Sequence, residues 1–297
     1  MSNEVLEGIM SMLRDGDLSM ADDPSKARPI FEAMFEDVPL PEGIHSEAGE
    51  LSGVPGIWLK PATPIADTVI LYLHGGGYVI GSSKVYSPIA AGLAATSNIA
   101  TFIPDYRLAP EHPFPAAVQD AYICYQALRS TYKERVIIAG DSAGGGLVMS
   151  VLLKTKQEQA VQPACAILWS PWLDLSVSGA SVSRNAEHDP TLDEESLKTC
   201  TARYVGNTLP ADEILNPLNA NLAGISPLLV QVGSIEILLD DAIALAGKAA
   251  AAHCHCQLEV WPGMPHVFQG FAPALAEGQQ ALNNCSTFIT QHCQVAD

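Results

Sequence analysis

Basic residues are scarce in this chain. Lys and Arg number 15 against 33 Asp and Glu, which gives a formal net charge of −18 at pH 7. Phosphate backbones and anionic lipid surfaces repel so acidic a protein. We therefore expect no nucleic-acid partner and no membrane partner. The chain also lacks an uncharged apolar run of about 18 residues, so no transmembrane helix is predicted.

The first residues, MSNEVLEGIMSMLRDGD, lack the basic start and the small-residue cleavage site of a signal peptide. We therefore expect a cytoplasmic protein. The 297 residues are 48% hydrophobic and only 16% charged, a composition that excludes a disordered chain and favours a globular protein. At this length we expect one core with an appended cap.

Paired cysteine motifs are absent as well. The seven cysteines are odd in number and form no C-x-x-C pair, which favours buried thiols over a disulfide framework. The run His253-Cys254-His255-Cys256 raises the hypothesis of a zinc site. However, it leads into the alternating residues 257–261, and alternation would place its histidines and cysteines on opposite faces. We predict a helix-to-strand junction there, with no metal and no cofactor.

Short apolar runs alternate with helical segments along most of the chain. Thr68-Val-Ile-Leu-Tyr-Leu73 is typical of a parallel strand that is covered on both faces. Further strands are predicted at 45–60 (two short ones), 99–103, 135–139, 165–169, 228–232 and 257–261, with helices at 85–97, 115–130, after 142 and 273–292. This order predicts an α/β fold, with a mostly parallel central sheet and helices on both faces.

Two segments depart from the alternation. Residues 1–45 carry apolar side chains at helical spacing, and residues 176–222 are mixed polar and helical segments. We interpret both as parts of a helical cap. The core is then formed by residues 46–175 and 223–297.

Gly140-Asp141-Ser142-Ala143-Gly144 follows the predicted strand 135–139 and precedes a helix. This is a G-x-S-x-G motif in the strand–turn–helix setting that it requires. The turn is so sharp that a Cβ in place of the flanking glycines would be crowded by the neighbouring helix and strand. We predict Ser142 as the nucleophile, with a hydrogen-bonding role for Asp141.

His74-Gly75-Gly76-Gly77 follows the predicted strand 68–73. Consecutive glycines let backbone N–H groups turn toward a substrate carbonyl, and the N–H of Ala143 would complete an oxyanion hole. Gly76 and Gly77 are the first candidates as donors, and Gly75 is the spare one. A phosphate cradle is disfavoured because no lysine follows as in a P-loop.

A general base and an acid should lie on later post-strand loops. His266, in Pro262-Gly-Met-Pro-His266, directly follows the last predicted strand and is the candidate base. Glu236 lies just past the strand 228–232 and is the first candidate acid, while Asp240 remains the alternative. The chain order of nucleophile, acid and base is that of α/β-hydrolases.

Four ordered motifs resemble the bacterial branch of the hormone-sensitive lipase family of α/β-hydrolase carboxylesterases. They are HGGGYVIGS, YRLAPE, GDSAGG and PGMPH, within about residues 68–270. The resemblance implies an α/β-hydrolase fold with a helical cap and a cofactor-free carboxylesterase for short- to medium-chain acyl esters. One departure is Glu236, where the family usually has Asp.

The predicted function is therefore serine esterase chemistry on a small-molecule ester, through a Ser-Glu-His triad and an acyl-enzyme intermediate. An amide, a lactone or an acetylated small metabolite is the alternative substrate, because the same triad serves all of them. A binding protein on this fold would lack the base, so His266 argues against it. Trp169 and Trp172 either border the acyl pocket or are ordinary core aromatics, and a homodimer is also left open.

Overall fold

The computed structural model describes residues 2–16, 18–206 and 212–293. Within them, one sheet has the strand order β1-β2-β4-β3-β5-β6-β7-β8. The strands are β1 (Ile44–Leu51), β2 (Val54–Pro61), β3 (Val69–Leu73), β4 (Ala100–Pro104), β5 (Val136–Asp141), β6 (Cys165–Trp169), β7 (Leu228–Gly233) and β8 (Cys256–Trp261). The pairs β1–β2 and β2–β4 are antiparallel, and all the others are parallel.

Helices lie on both faces of this sheet. Along the described chain the helices are α1 (Ser2–Arg14), α2 (Pro24–Ala33), α3 (Ser83–Ser97), α4 (Ala116–Tyr132), α5 (Ala143–Gln157), α6 (Ala180–Arg184), α7 (Glu194–Val205), α8 (Leu239–Ala251) and α9 (Ala276–His292). Alternate residues of β3 show the two faces, since Ile70 belongs to a buried cluster with residues of α3 and α9, while Leu71 belongs to another with residues of α4, α5 and α8. The predicted mostly parallel sheet with helices on both faces is confirmed.

The central strands are buried along their whole length, as their continuous apolar runs predicted. Every residue of β3, β5, β6 and β7 is buried. The edge strand β8 is only partly covered. The predicted helix-to-strand junction is also confirmed, because α8 ends at Ala251 and β8 begins at Cys256.

The two segments interpreted as a cap contain α1 and α2, and α6 and α7, respectively. Met1, Asp17, 207–211 and 294–297 fall within the predicted cap and core ranges but lie outside the described residues. In the part of the chain that is described, no helix combines the length and the apolarity needed to cross a bilayer.

Candidate active site

The turn between β5 and α5 holds Ser142 in a strained conformation. Its backbone angles are φ 52° and ψ −123°, a region that costs a non-glycine residue of order 1–3 kcal/mol. The loop after β6 fixes this conformation from both sides. The Ser142 N–H donates to the carbonyl of Trp169 at 2.9 Å, and the Trp172 N–H donates to the carbonyl of Ser142 at 2.9 Å. The turn thus holds Ser142 at the carboxyl edge of the sheet.

The glycines that flank this turn have no room for a side chain. A Cβ at Gly140 would lie 2.6 Å from the carbonyl oxygen of Gly144 and 2.7 Å from that of Leu73. A Cβ at Gly144 would collide with the carbonyl oxygens of Leu73 and His74. The predicted crowding by strand and helix is therefore found at both positions.

Glu236 and His266 meet at the same edge of the sheet. Oε2 of Glu236 lies 2.7 Å from Nδ1 of His266. The Glu236 side chain is fully buried, and His266 is only 8% exposed. The other carboxylate oxygen, Oε1, accepts the Gly233 N–H at 2.6 Å and the Ser170 hydroxyl at 2.7 Å. A carboxylate so fully hydrogen-bonded can hold one ring orientation.

Asp240, the alternative acid, lies in the first turn of α8 and faces α6. Its Oδ1 lies 2.9 Å from Nη2 of Arg184, and its Oδ2 accepts the Ser181 N–H at 2.8 Å. Of the two candidate acids, Glu236 is therefore the one in contact with His266.

Carboxylates around His266 change its titration. Burial lowers the pKa of His266, but the hydrogen bond and charge of Glu236 and the charges of Asp189 and Asp141 raise it above its ordinary value. Asp189 precedes α7 and accepts the Ile237 N–H at 2.9 Å, which ties the segment before α7 to the loop of Glu236. Asp189 was not predicted from the sequence, because no local pattern distinguishes it.

The three glycines after His74 differ in their surroundings. The Gly75 N–H donates to Oδ1 of Asp141 at 3.1 Å, and the Tyr72 hydroxyl donates to the same oxygen at 2.8 Å. The Gly75 amide is therefore already bound, and Gly76 and Gly77 stay ahead of it as candidate oxyanion donors. Gly76 and Gly77 have φ of 104° and 61°, conformations that glycine adopts readily.

Asp141 also gains the hydrogen-bonding role that was predicted for it. Burial raises its pKa to about 6, against the opposing effects of its hydrogen bond from Tyr72, the charge of His266 and the Gly75 amide. The side chain lies directly beneath the glycine loop. Asp141 thus joins the turn that holds Ser142 to the glycine loop after His74.

The side chains of Met20 and Cys200 lie over Gly77. A Cβ at Gly77 would lie 2.5 Å from Cε of Met20 and 2.8 Å from Sγ of Cys200. Arg203 of α7 fastens these parts together, since its Nη1 and Nη2 donate to the carbonyls of Met20 and Ala21 at 2.9 Å each. The wall that Met20 and Cys200 form over Gly77 was not predicted from the sequence, because the two residues come from distant segments of the chain.

Trp169, the last residue of β6, and Trp172, three residues further on, are core aromatics. Trp169 packs edge-on against Tyr72, with a ring centroid distance of 5.7 Å. Trp172 lies beside Tyr78 at 5.8 Å, and both indoles are only 1% exposed. Among the residues that the structure describes, no group of three or more His, Cys, Asp or Glu side chains is arranged to hold a metal ion.

Comparison with known proteins places these features in context. Residues 70–270 match the model of a family described by the alpha/beta hydrolase fold. An acetyl-hydrolase of Streptomyces hygroscopicus is 38% identical over 78% of this chain and 78% of its own. An esterase of Acinetobacter venetianus is 34% identical over 90% of this chain and 89% of its own.

A solved structure is similar over nearly the whole length. It is that of an esterase from the bacterial hormone-sensitive lipase family, with 40% identity and a TM-score of 0.93. The likeness covers 97% of this chain and 98% of that chain.

Proposed function

The chain belongs to the hormone-sensitive lipase family of alpha/beta hydrolases, and we propose that it hydrolyses short- to medium-chain acyl esters with Ser142, Glu236 and His266. It is an enzyme of the carboxylic ester hydrolase class. The observation that carries the proposed triad is the 2.7 Å contact between Glu236 and His266. This pair lies at the carboxyl edge of the sheet, where the strained turn also holds Ser142.

In the first half-reaction, Oγ of Ser142 attacks the ester carbonyl carbon while its proton passes to Nε2 of His266. Nδ1 of the same ring is held by Glu236, which orients the imidazole and stabilises its charged form. A C–O bond to the serine forms, and the carbonyl oxygen becomes an oxyanion. When the tetrahedral intermediate collapses, its bond to the alcohol oxygen breaks and His266 protonates the leaving alcohol.

In the second half-reaction, water replaces the alcohol. His266 takes a proton from the water as its oxygen attacks the acyl-enzyme carbonyl. The bond to Oγ of Ser142 then breaks, and His266 returns the proton to the serine. The carboxylic acid leaves and the free enzyme is restored.

The oxyanion of both half-reactions would be stabilised by the amides of Gly76, Gly77 and Ala143. Ala143 is the first residue of α5, and the first N–H groups of a helix lack intrahelical acceptors. A donor of this kind is typically worth about 2.7–4 kcal/mol of the barrier. Gly75 is left out, because its amide is bound to Asp141.

The preference for short or medium acyl chains is supported by the wall over Gly77. Met20 and Cys200 come close to this glycine, so they would restrict a bulky substrate whose carbonyl oxygen binds the Gly77 amide. The name of the Streptomyces relative favours a second candidate, an acetylated small molecule that the same residues would hydrolyse.

The test is hydrolysis of p-nitrophenyl esters with acyl chains from C2 to C16, together with an acetylated amine. We expect a rate that peaks at short or medium chains and is abolished in Ser142→Ala. The matched control is Ser97→Ala, which removes another buried serine hydroxyl, one that bonds only the Leu93 carbonyl within α3. Turnover of the acetylated amine alone would favour the second candidate. Full ester hydrolysis by folded Ser142→Ala would overturn the proposal.

A further inference from the structure

Ser170 lies directly after β6 and is fully buried. Its backbone has φ 47°, a left-handed conformation that is uncommon for residues other than glycine. The Ser170 N–H donates to the carbonyl of Gln231 in β7 at 2.7 Å, which fixes the backbone at this point. A serine kept here in a strained conformation indicates a role for its side chain.

The hydroxyl of Ser170 has two partners, and both belong to the triad region. It donates to Oε1 of Glu236 at 2.7 Å and accepts the Val267 N–H at 3.1 Å. Val267 is the residue after His266. A single oxygen atom thus connects the loop of the acid with the loop of the base.

We propose that Ser170 is a positioning residue, which holds Glu236 and His266 in register with each other. This inference rests on the proposed function. Ser170 does not touch the reacting atoms in this role, and it acts through Glu236.

The length of the glutamate side chain explains the need for such a tether. Glu has one more rotatable bond than Asp, so its carboxylate samples more positions unless it is held. The Ser170 hydroxyl and the Gly233 N–H both donate hydrogen bonds to Oε1 of Glu236. Oε2 is then directed at Nδ1 of His266, which selects the tautomer with the proton on Nδ1 and leaves Nε2 free to accept the proton of Ser142.

Two variants test the proposal with a p-nitrophenyl ester of the preferred length. Ser170→Ala removes only the hydroxyl, while Ser170→Gly removes it and also suits the left-handed backbone, so the glycine variant guards against a folding failure. We expect kcat to fall about 10- to 100-fold in both, with little change in KM, because a hydrogen bond to a charged group is lost. The matched control is Ser226→Ala, whose buried hydroxyl bonds the Pro163 carbonyl and the Gln162 amide oxygen, and its kcat should stay within about twofold of wild type.

A double-mutant cycle separates positioning from a general structural effect. If Ser170 acts through Glu236, then adding Ser170→Ala to Glu236→Ala should change kcat by less than about twofold. An equal loss of kcat in both backgrounds would overturn the proposal. So would an unchanged kcat in the folded Ser170→Gly variant.

Failure of this inference is distinguishable from failure of the proposed function. Activity that survives Ser142→Ala would remove the esterase mechanism itself. Activity that is lost in Ser142→Ala but unchanged in both Ser170 variants would remove only the positioning role.

Discussion

Oε2 of Glu236 lies 2.7 Å from Nδ1 of His266, whereas Asp240, four residues further on, pairs with Arg184. Replacement of the two carboxylates should therefore have unequal effects. Glu236→Ala is expected to lower kcat by up to about 10⁴-fold, because the imidazole loses its orienting partner. Asp240→Ala breaks a partly exposed ion pair and should change kcat by no more than about threefold. Steady-state kinetics of both variants test this difference, and an equal loss of kcat would contradict the assignment of Glu236 as the acid.

The pH dependence of catalysis should report the charges around His266. The ring must be neutral to accept a proton, and its pKa is raised above the ordinary 6.5, so the acidic limb of kcat/KM should lie above that pH. Glu236→Gln removes a negative charge that stabilises the imidazolium. The pKa of His266 should then fall, and the limb should move to lower pH as the plateau rate drops.

Asp189→Asn supplies the comparison for that experiment. Asp189 acts on His266 by charge alone, and it ranks after Glu236 among the causes of the raised pKa. The acidic limb should move in the same direction, but less far. An acidic limb that stays in place in Glu236→Gln would contradict this account of the ion pair.

Much of this molecule was predictable because the relevant signals are local. Each central strand is a short apolar run, and Ser142 stands in a five-residue motif whose glycines meet nearby backbone oxygens. The contacts that complete the site are not local. Ser170 and Glu236 are 66 residues apart in the chain, and Arg203 lies 183 residues from Met20. No periodicity or motif spacing indicates such pairs.

The glycine loop after His74 shows a second limit to prediction from the sequence. Gly75, Gly76 and Gly77 are identical in side chain, so the sequence alone could not tell which amide is free to face a substrate. The decision depends on Asp141, whose carboxylate binds the Gly75 N–H across two neighbouring strands. Asp141 itself was predicted to form hydrogen bonds, but its partner could not be predicted.

The packing of the turn around Ser142, between β5 and α5, gives a prediction about stability. Gly144→Ala would drive a Cβ into the carbonyl oxygens of Leu73 and His74, and backbone atoms of a central strand cannot move aside easily. We expect a loss of about 3 kcal/mol or more in the free energy of unfolding. Gly247→Ala is the control, since nothing lies within 4 Å of the Cβ that the substitution adds. In the exposed face of α8 it should stabilise by roughly 0.5–1 kcal/mol. Thermal unfolding followed by circular dichroism measures both, and an unchanged Tm in Gly144→Ala would refute the steric argument.

The side chains over Gly77 give a prediction about substrate binding. Arg203→Ala removes the two hydrogen bonds that the guanidinium donates to Met20 and Ala21 and leaves the long contact of Cys200 Sγ with the Met20 carbonyl, so Met20 should be held less firmly beside Gly77. We expect a higher KM for short esters with nearly unchanged kcat, because the wall would bind substrate and transition state alike. Lys198→Ala is the matched control on the same helix, since Lys198 pairs, among the residues that the structure describes, with exposed Glu194 alone. A KM increase of equal size in both variants would exclude a specific effect of Arg203.

The buried carboxyl of Asp241 gives a prediction about stability and pH. Its Oδ2 accepts the N–H groups of Leu173 and Asp174 at 2.7 and 2.9 Å. Burial raises its pKa from 3.8 to about 7, against the opposing effect of these two hydrogen bonds. The folded protein therefore binds this proton more tightly than the unfolded chain does. The contribution to stability is full below about pH 4 and is lost as the pH rises toward 7.

Asp241→Asn removes this titration but keeps an oxygen that can accept both backbone N–H groups. The Tm of the variant relative to wild type should therefore increase from about pH 5.5 to about pH 7.5 and then level off. Asp240→Asn is the control, because the pKa of Asp240 is shifted in the opposite direction. Although burial acts to raise it, the pKa of Asp240 is lowered by Arg184 and Ser181, so its stabilising effect is lost only at acidic pH. Its Tm difference should stay constant over the same range. A constant difference for Asp241→Asn as well would mean that this carboxyl is already ionised in the folded protein near pH 5.5, and that its two backbone donors outweigh its burial.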